Sequence, residues 1–389
     1  MENPIRVLQL TIGGSDFTGI CSFMYTYYKA INHNKVIYDF VFCRQNSMKL
    51  VMNDPVFNNS CFFELNAVNR RNEISYWNFS KKLNTLLKKK KYDVLHINTY
   101  KCGIALIALL IAKKNKVKTI ISHSHNTNVI IKKGELAKNI LKKFFSTIIR
   151  HKSSYLFACS NEAGKALFSE KGIKQKNFYV IKNAINAKLF IYNEETRKKL
   201  RAIQNVKDEC YVVGQVGRLA YPKNQMFTLN VFKEILTHHS NAILWLIGTG
   251  EDMEKLKKMI CQLEIQDKVQ FLGARQDIAS LMQAMDALIF PSEYEGLGIV
   301  AVEAQAAGLK TYASTAVPIE TKITDLISYI PLSAPPKKWA SIMLHDLNNY
   351  QRRNRKQEII ESGYDIEEAA KWLENFYVHC RFGGTYERK

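Results

Sequence analysis

The chain reads as an α/β protein built from two doubly wound halves in tandem. Three observations predict this. Short apolar runs alternate with helical patterns from the amino end onward, which argues for a parallel sheet covered by helices on both faces. The alternation then restarts at Tyr211. The length of 389 residues is enough for two domains, each with its own core.

In the first half, strands are expected at Arg6–Thr11, Tyr38–Cys43, Val94–Asn98, Thr119–Ser122, Tyr155–Ala158 and Phe178–Ile181. Helical patterns at Trp77–Lys91 and Gly103–Lys114 lie between them. In the second half, strands are expected at Tyr211–Val216, Ala242–Ile247, Val269–Leu272 and Ala287–Phe290. Helices are expected there at Asn224–Thr237, Met253–Leu263 and Ile299–Ala307. The boundary falls near Asn183–Phe190, giving domains of residues 1–185 and 186–364, with ligands expected at the strands' carboxyl ends in the crevice between them. The last pattern, Asp365–Tyr377, is amphipathic. There is no internal sequence repeat, and Ser333-Ala-Pro-Pro reads as a turn rather than a linker.

Bulk properties narrow the function. The amino end lacks a basic-then-apolar leader, and the longest apolar run, Gly103 to Ala112, is about half of a membrane span. A cytoplasmic protein without a spanning helix is expected. Eight cysteines without CxxC spacing suggest neither a zinc site nor a disulfide framework. The net charge of +21 is placed unevenly: residues 1–185 hold 30 Lys and Arg against 10 Asp and Glu, leaving a net of +1 for the remainder. Two accounts fit, an anionic partner for one domain only or lysine-rich solvated faces.

The most informative stretch is FPSEYEGLGIVAVEAQAAGL, Phe290 to Leu309. Glu295 stands beside Gly296 and Gly298 in a loop, and Glu303 follows in an apolar, Ala-rich helical run. A strand–loop–helix turn of this kind aims backbone N–H groups and a positive helix end at a phosphate. Carboxylates would repel a diphosphate but accept from sugar hydroxyls. One loop therefore offers what a nucleotide-sugar needs. The string resembles the glutamate–seven–glutamate signature of the retaining glycosyltransferases of family 4, which have the GT-B fold. Its YEGL and EAQAAG wording is similar to the bacterial capsule and exopolysaccharide enzymes.

The other motifs read in the same direction. In Val216-Gly-Arg-Leu-Ala-Tyr-Pro-Lys-Asn-Gln, Arg218 and Lys223 flank a loop between a strand end and a helix start. An arginine fork and a lysine point charge suit a diphosphate. This string is similar to a family 4 segment whose Arg and Lys hold the nucleotide diphosphate and stabilise the departing charge. Gly248 and Gly250, in Leu246-Ile-Gly-Thr-Gly-Glu, resemble the family's tight turn beside the nucleotide. Phe271 and Leu272 match the strand whose end meets the base; ordinary core strand is an equally good account of them. His123 and His125, in Ile120-Ile-Ser-His-Ser-His-Asn-Thr, share a face of one strand. They resemble the HSHN string of the capsule-type enzymes, which places an active-site His near the reacting sugar. His125, followed by Asn126, is the favoured candidate, with His123 beside it and His96 read as structural. A metal pair lacks an evident third ligand.

Two segments are less clear-cut. Thr11–Ile20 resembles the family's first glycine loop, but its Gly-Gly is here Thr18-Gly19 and its usual acidic residue is Cys21. Backbone approach at Gly19 is retained, and the departure falls on the side expected to meet the acceptor. Ile131–Lys152 interleaves lysines with Leu141, Phe144, Phe145, Ile148 and Ile149. It fits an anionic membrane surface and core packing with solvated lysines equally well.

The resemblance implies a retaining, metal-independent hexosyltransferase with two Rossmann-like domains and a C-terminal helix, within 365–389, crossing back to the first. It implies a catalytic set of His125, His123, Arg218, Lys223 and Glu295. The donor, expected to be a UDP-sugar, would meet Gly19, Arg218, Lys223, Gly248, Phe271, Leu272 and Glu295. It would also meet Gly296, Leu297, Gly298, Ile299 and, at the ribose, Glu303. No cofactor or metal is expected. The acceptor would be a glycan or a lipid-linked glycan in bacterial surface polysaccharide synthesis, with peripheral contact on the inner membrane face and no nucleic acid. Two other readings remain: a nucleotide-sugar hydrolase or epimerase on the same fold, and an idle basic protein that binds membrane or nucleic acid.

Overall fold

The computed structural model describes all residues except 1–2, 13–18, 50, 70–72, 100, 126–135, 348–349 and 382–389, and leaves aside the side chains of 136–139. The chain forms two compact units. The first comprises Met1–Ala184 and Ile366–Lys389, the second Ile185–Asp365.

In the first unit the order is β1 (Ile5–Thr11), α1 (Gly19–Ala30), β2 (Val36–Phe42), β3 (Phe62–Glu64), α2 (Tyr76–Lys89) and β4 (Val94–Asn98). Then come α3 (Cys102–Lys114), β5 (Thr119–Ser124), α4 (Leu136–Lys152), β6 (Tyr155–Ala158), α5 (Asn161–Ile173) and β7 (Phe178–Val180). The strands form one parallel sheet in the order β3-β2-β1-β4-β5-β6-β7. The order reverses between β1 and β4, so side chains at their carboxyl ends sit at a topological switch point.

The second unit contains α6 (Ala187–Phe190), α7 (Glu194–Ile203), β8 (Tyr211–Val216), α8 (Gln225–His238), β9 (Ala242–Ile247), α9 (Met253–Gln262) and β10 (Val269–Gly273). It continues with α10 (Ile278–Ala284), β11 (Ala287–Phe290), α11 (Ile299–Ala306), β12 (Lys310–Ser314), β13 (Ile327–Ile330), α12 (Pro336–Leu347) and α13 (Lys356–Glu361). Its parallel sheet has the order β10-β9-β8-β11-β12-β13, and its switch point lies between β8 and β11.

The last helix, α14 (Ile366–Cys380), returns to the first unit. Leu373, Phe376 and Tyr377 join the buried cluster that also holds Phe23, Tyr38, Phe40 and Phe157. Lys35 Nζ reaches Glu374 Oε1 at 2.8 Å, and the Asn32 amide donates to Glu374 Oε2 at 2.9 Å, which ties α14 to the α1–β2 turn.

The expected strands and helices are present, with bounds shifted by one or two residues in most cases. Three strands lie outside the sequence expectation: β3, β12 and β13. Phe62–Glu64 has only three residues. Lys310–Ser314 is mostly polar, but its Thr311 and Ser314 are buried and hydrogen-bonded, so burial overrides the composition.

Candidate nucleotide site in the second unit

The turn after β8 is Gly217 to Asn224. It contains the cis peptide Tyr221–Pro222 and ends on Asn224, whose left-handed conformation (φ 56°, ψ 46°) starts α8. Side chains hold the turn. Gln215 Nε2 donates to the Lys223 carbonyl at 2.8 Å, and Gln225 Nε2 donates to the Arg218 carbonyl at 2.9 Å. The turn after β11 is anchored to it, since the Glu293 amide donates to the Pro222 carbonyl at 2.9 Å.

Lys223 and Glu295 meet there. Lys223 Nζ lies 2.6 Å from Glu295 Oε1, and Ser292 Oγ donates to the same oxygen at 2.6 Å. The Ser314 hydroxyl in turn bonds the Ser292 carbonyl. The lysine ammonium also lies 5.3 Å from the centre of the Phe290 ring. Expected to meet separate partners, the diphosphate and the sugar, these two residues neutralise each other in the structure. Arg218 is mostly exposed and pairs with the equally exposed Glu251 at 3.0 Å, a pair of small energetic weight that a diphosphate could displace.

Helix α11 begins at Gly298, whose φ of 81° and ψ of 49° suit glycine and exclude most side chains. A Cβ there would also stand 3.1 Å from the Phe290 ring. Neither α8 nor α11 carries a side-chain cap hydrogen bond. Their first amides have no intrahelical acceptor, and the two positive ends stand at the switch point. Leu297 is buried, while Gly296 and Ile299 are half-buried.

Glu303 lies on α11, half-buried, with no partner for its carboxylate among the described residues. Burial pushes its carboxyl up to about 7. Gly248 stands close to the backbone of the first turn. Its φ is 135°, and a Cβ would lie 2.0 Å from the Gly217 carbonyl oxygen, so only glycine fits. Phe271 and Leu272 lie on β10, partly buried against the apolar clusters on the sheet's two faces.

The histidines belong to the first unit. His96 and His123 are fully buried on adjacent strands, and His125 follows β5. The His123 and His125 rings lie against each other, with centroids 3.9 Å apart and planes tilted by 33°. Desolvation lowers all three imidazoles, His125 to about 3 and the other two well below the usual range. All three are therefore neutral at physiological pH. Among the described residues no group of three or more His, Cys, Asp or Glu is arranged to hold a metal ion. Gly19 is exposed at the start of α1, and a Cβ there would meet nothing within 4 Å. Cys21, where the resemblance would have an acid, is buried, its thiol 3.0 Å from the Ser47 hydroxyl. Thr18, Asn126 and Ile131–Glu135 lie outside the described residues.

Ser292, Gln9, Asn98 and Tyr377 were not singled out from sequence. Ser292 was reachable, lying three residues before Glu295; the others are long-range partners. A cavity of about 240 Å³ lies at the opposite, amino ends of the second sheet's strands, bounded by Tyr211, Asp286, Lys310 and Arg352. Its charges are already engaged. Asp286 pairs with Arg197 and Arg201, Lys310 with Asp346, and Arg352 donates to three backbone carbonyls. It reads as structural.

Residues 41–189 match the family described as Glycosyltransferase Family 4, and residues 196–325 match Glycosyl transferases group 1. EpsF of Bacillus subtilis (strain 168), whose name assigns it to the glycosyltransferases, is 25% identical over 381 residues, 96% of each chain. The UDP-Gal:alpha-D-GlcNAc-diphosphoundecaprenol alpha-1,3-galactosyltransferase of Escherichia coli is 26% identical over 59% of each chain. The crystal structure of Anabaena HepE in complex with UDP-glucose shares the fold, with a TM-score of 0.69 and 17% identity over 97% of this chain and 99% of that one. The chain belongs to the glycosyltransferases that join a family 4 domain to a group 1 domain in the GT-B fold.

Proposed function

We propose that the protein moves a sugar from a UDP-sugar to a glycan or lipid-linked acceptor, with retention of the anomeric configuration, in bacterial surface polysaccharide synthesis. The observation that carries this is the convergence at the β8–β11 switch point. Lys223, Glu295 and Ser292 are joined there, beside two uncapped helix ends and the desolvated carboxyl of Glu303. Arg218 and Lys223 take the diphosphate and stabilise charge on the departing nucleotide. That contact releases Glu295 to accept from donor-sugar hydroxyls. The amides of Gly296–Ile299 support the phosphate and sugar, and Glu303 accepts from the ribose. The neutral His125 and His123 serve the reacting sugar as hydrogen-bonding groups. A front-face transfer follows, in which the leaving phosphate helps to deprotonate the acceptor and no metal is required. The names of the relatives support UDP as the nucleotide and a lipid diphosphate among the acceptor classes.

The decisive assay supplies UDP-sugars with lipid-linked acceptors and reads the product by NMR. Retained anomeric configuration is expected. Inversion would overturn the mechanism, and release of free sugar without acceptor would show a hydrolase.

The membrane contact is proposed for helix α4. Ile140, Leu141 and Phe144 are 61%, 51% and 60% exposed there, beside Lys142 and Lys143. Apolar side chains exposed among lysines match an anionic bilayer surface. No helix of the described residues is long and apolar enough to cross a membrane.

A further inference from the structure

Six buried or half-buried side chains of the first unit form one continuous hydrogen-bond chain. His125 Nε2 lies 2.9 Å from Asn98 Oδ1. Asn98 Nδ2 donates to Gln9 Oε1 at 2.8 Å, and Gln9 Nε2 donates to the Tyr377 hydroxyl at 3.3 Å. That hydroxyl lies 2.6 Å from His96 Nδ1, and His96 Nε2 lies 3.0 Å from His123 Nδ1. The chain passes through β1, β4, β5 and α14, and it begins and ends on the two neighbouring imidazoles of His125 and His123.

Its direction can be read from the Asn98 amide. Nδ2 also lies 3.4 Å from the His96 carbonyl oxygen. Turning the amide over would set two oxygens against each other, so the NH2 end must point there. Asn98 Oδ1 then accepts, and His125 carries its proton on Nε2. The Gln9 amide donates to the tyrosine oxygen at 3.3 Å, and the Tyr377 proton is assigned to His96 Nδ1 at 2.6 Å. His96 is therefore protonated on Nε2 and donates to His123 Nδ1. His123 must carry its own proton on Nε2.

The two loose ends are complementary. Among the described residues, His123 Nε2 and His125 Nδ1 are both buried without a hydrogen-bond partner. The first is a donor, and the second is a lone pair. An ammonium would satisfy only the second and a carboxylate only the first. A neutral hydroxyl satisfies both and closes the ring.

We infer that Tyr377 is a positioning residue: through His96 and through Gln9 and Asn98 it fixes the tautomers of His123 and His125, so that this pair receives one neutral hydroxyl. The occupant is a substrate hydroxyl or a water molecule, and only the substrate assignment rests on the proposed sugar transfer. The tautomers do not depend on it. The carboxy-terminal helix thus sets the polarity of groups 250 or so residues earlier in the chain, which a purely packing role for α14 would not do.

The test is long-range proton–nitrogen correlation on the full chain labelled with [15N]histidine, assigned with His96→Gln, His123→Gln and His125→Gln. At pH 7 all three rings should be neutral with the proton on Nε2. In Tyr377→Phe, His96 loses the donor to Nδ1, so an Nδ1–H population should appear on His96 and on His123. A proton on Nδ1 of any of the three in the wild type would overturn the inference, as would Tyr377→Phe leaving His96 and His123 unmoved. If Tyr377→Phe does not fold, the wild-type spectrum decides alone. Adding UDP, then a UDP-sugar, separates the occupants. Shifts of His123 Nε2 and His125 Nδ1 with the sugar nucleotide alone identify a substrate hydroxyl, and no shift with either identifies water, with the tautomers standing in both cases.

Discussion

Lys223 Nζ and Glu295 Oε1 lie 2.6 Å apart, with side chains 21% and 10% exposed. An ion pair this sheltered fixes both side chains and joins the turn after β8 to the turn after β11. Lys223→Ala should lower transfer by about 10²–10³-fold, the scale of losing one group that stabilises developing charge. Glu295→Gln keeps a partner for Ser292 and should leave UDP binding nearly intact while reducing turnover. Steady-state kinetics with a UDP-sugar and a UDP titration would separate the two effects. Equal kinetics in wild type and Lys223→Ala would remove Lys223 from the site.

Glu303 gives a pH signature. Its folded carboxyl titrates near 7, against an ordinary value of 4.5. Between these values the folded chain holds the extra proton, so this group's contribution to stability falls as pH rises from about 4.5 to 7. Glu303→Gln should therefore be more stable than wild type above pH 7, by about 1–3 kcal/mol, with no difference near pH 4. Denaturant unfolding at both pH values would check it.

The buried histidines act in the opposite sense. Their folded values lie below the ordinary 6.5, His125 at about 3. Below 6.5 the unfolded chain gains protons that the folded chain does not, so stability falls as pH drops from 6.5 toward 3. Each such histidine adds a slope of up to about 1.4 kcal/mol per pH unit. The melting temperature should drop steeply between pH 6.5 and 5, and less steeply in His125→Gln. An unchanged slope in that variant would show that His125 titrates normally.

Membrane contact by α4 predicts that Leu141→Ser with Phe144→Ser weakens co-sedimentation with anionic vesicles while leaving transfer to a soluble acceptor unchanged. Burying two large apolar side chains at an interface is worth roughly 3–6 kcal/mol at full depth, so even partial insertion should be measurable. Equal binding of the double variant would leave only the lysines.

Transfer should also persist in excess EDTA, because the diphosphate is assigned to Arg218 and Lys223. Complete loss that magnesium restores would require a metal at the diphosphate.

The strands around the sites could be read from sequence because their apolar runs are short and regular, and β8 and β9 run directly into Gly217 and Gly248. The Phe290–Leu309 string was legible in the same way, as a strand end, a turn bearing Glu295 and a helix bearing Glu303. The Lys223–Glu295 pair was not visible, because its members lie 72 positions apart and meet only once β8 and β11 are neighbours. Tyr377 was further out of reach. It read as one apolar position of an amphipathic helix, and its hydroxyl acquires a role only where α14 meets His96, 281 positions away. The β12 strand was hidden for another reason: Lys310-Thr-Tyr-Ala-Ser looks polar, and its hydroxyls are satisfied inside the fold.

The central claim is that the second unit holds a uridine nucleotide through Glu303 and the turns after β8 and β11. Thermal unfolding of wild type and Glu303→Ala with UDP, GDP, ADP, CMP, NAD and a short oligonucleotide tests it most directly, because a ligand that binds only the folded state raises the transition by mass action. UDP should stabilise the wild type by about 2.7 kcal/mol at a hundredfold excess over Kd, and much less in Glu303→Ala. No response to UDP, an equal response in both proteins, or a response to the oligonucleotide alone would contradict the account.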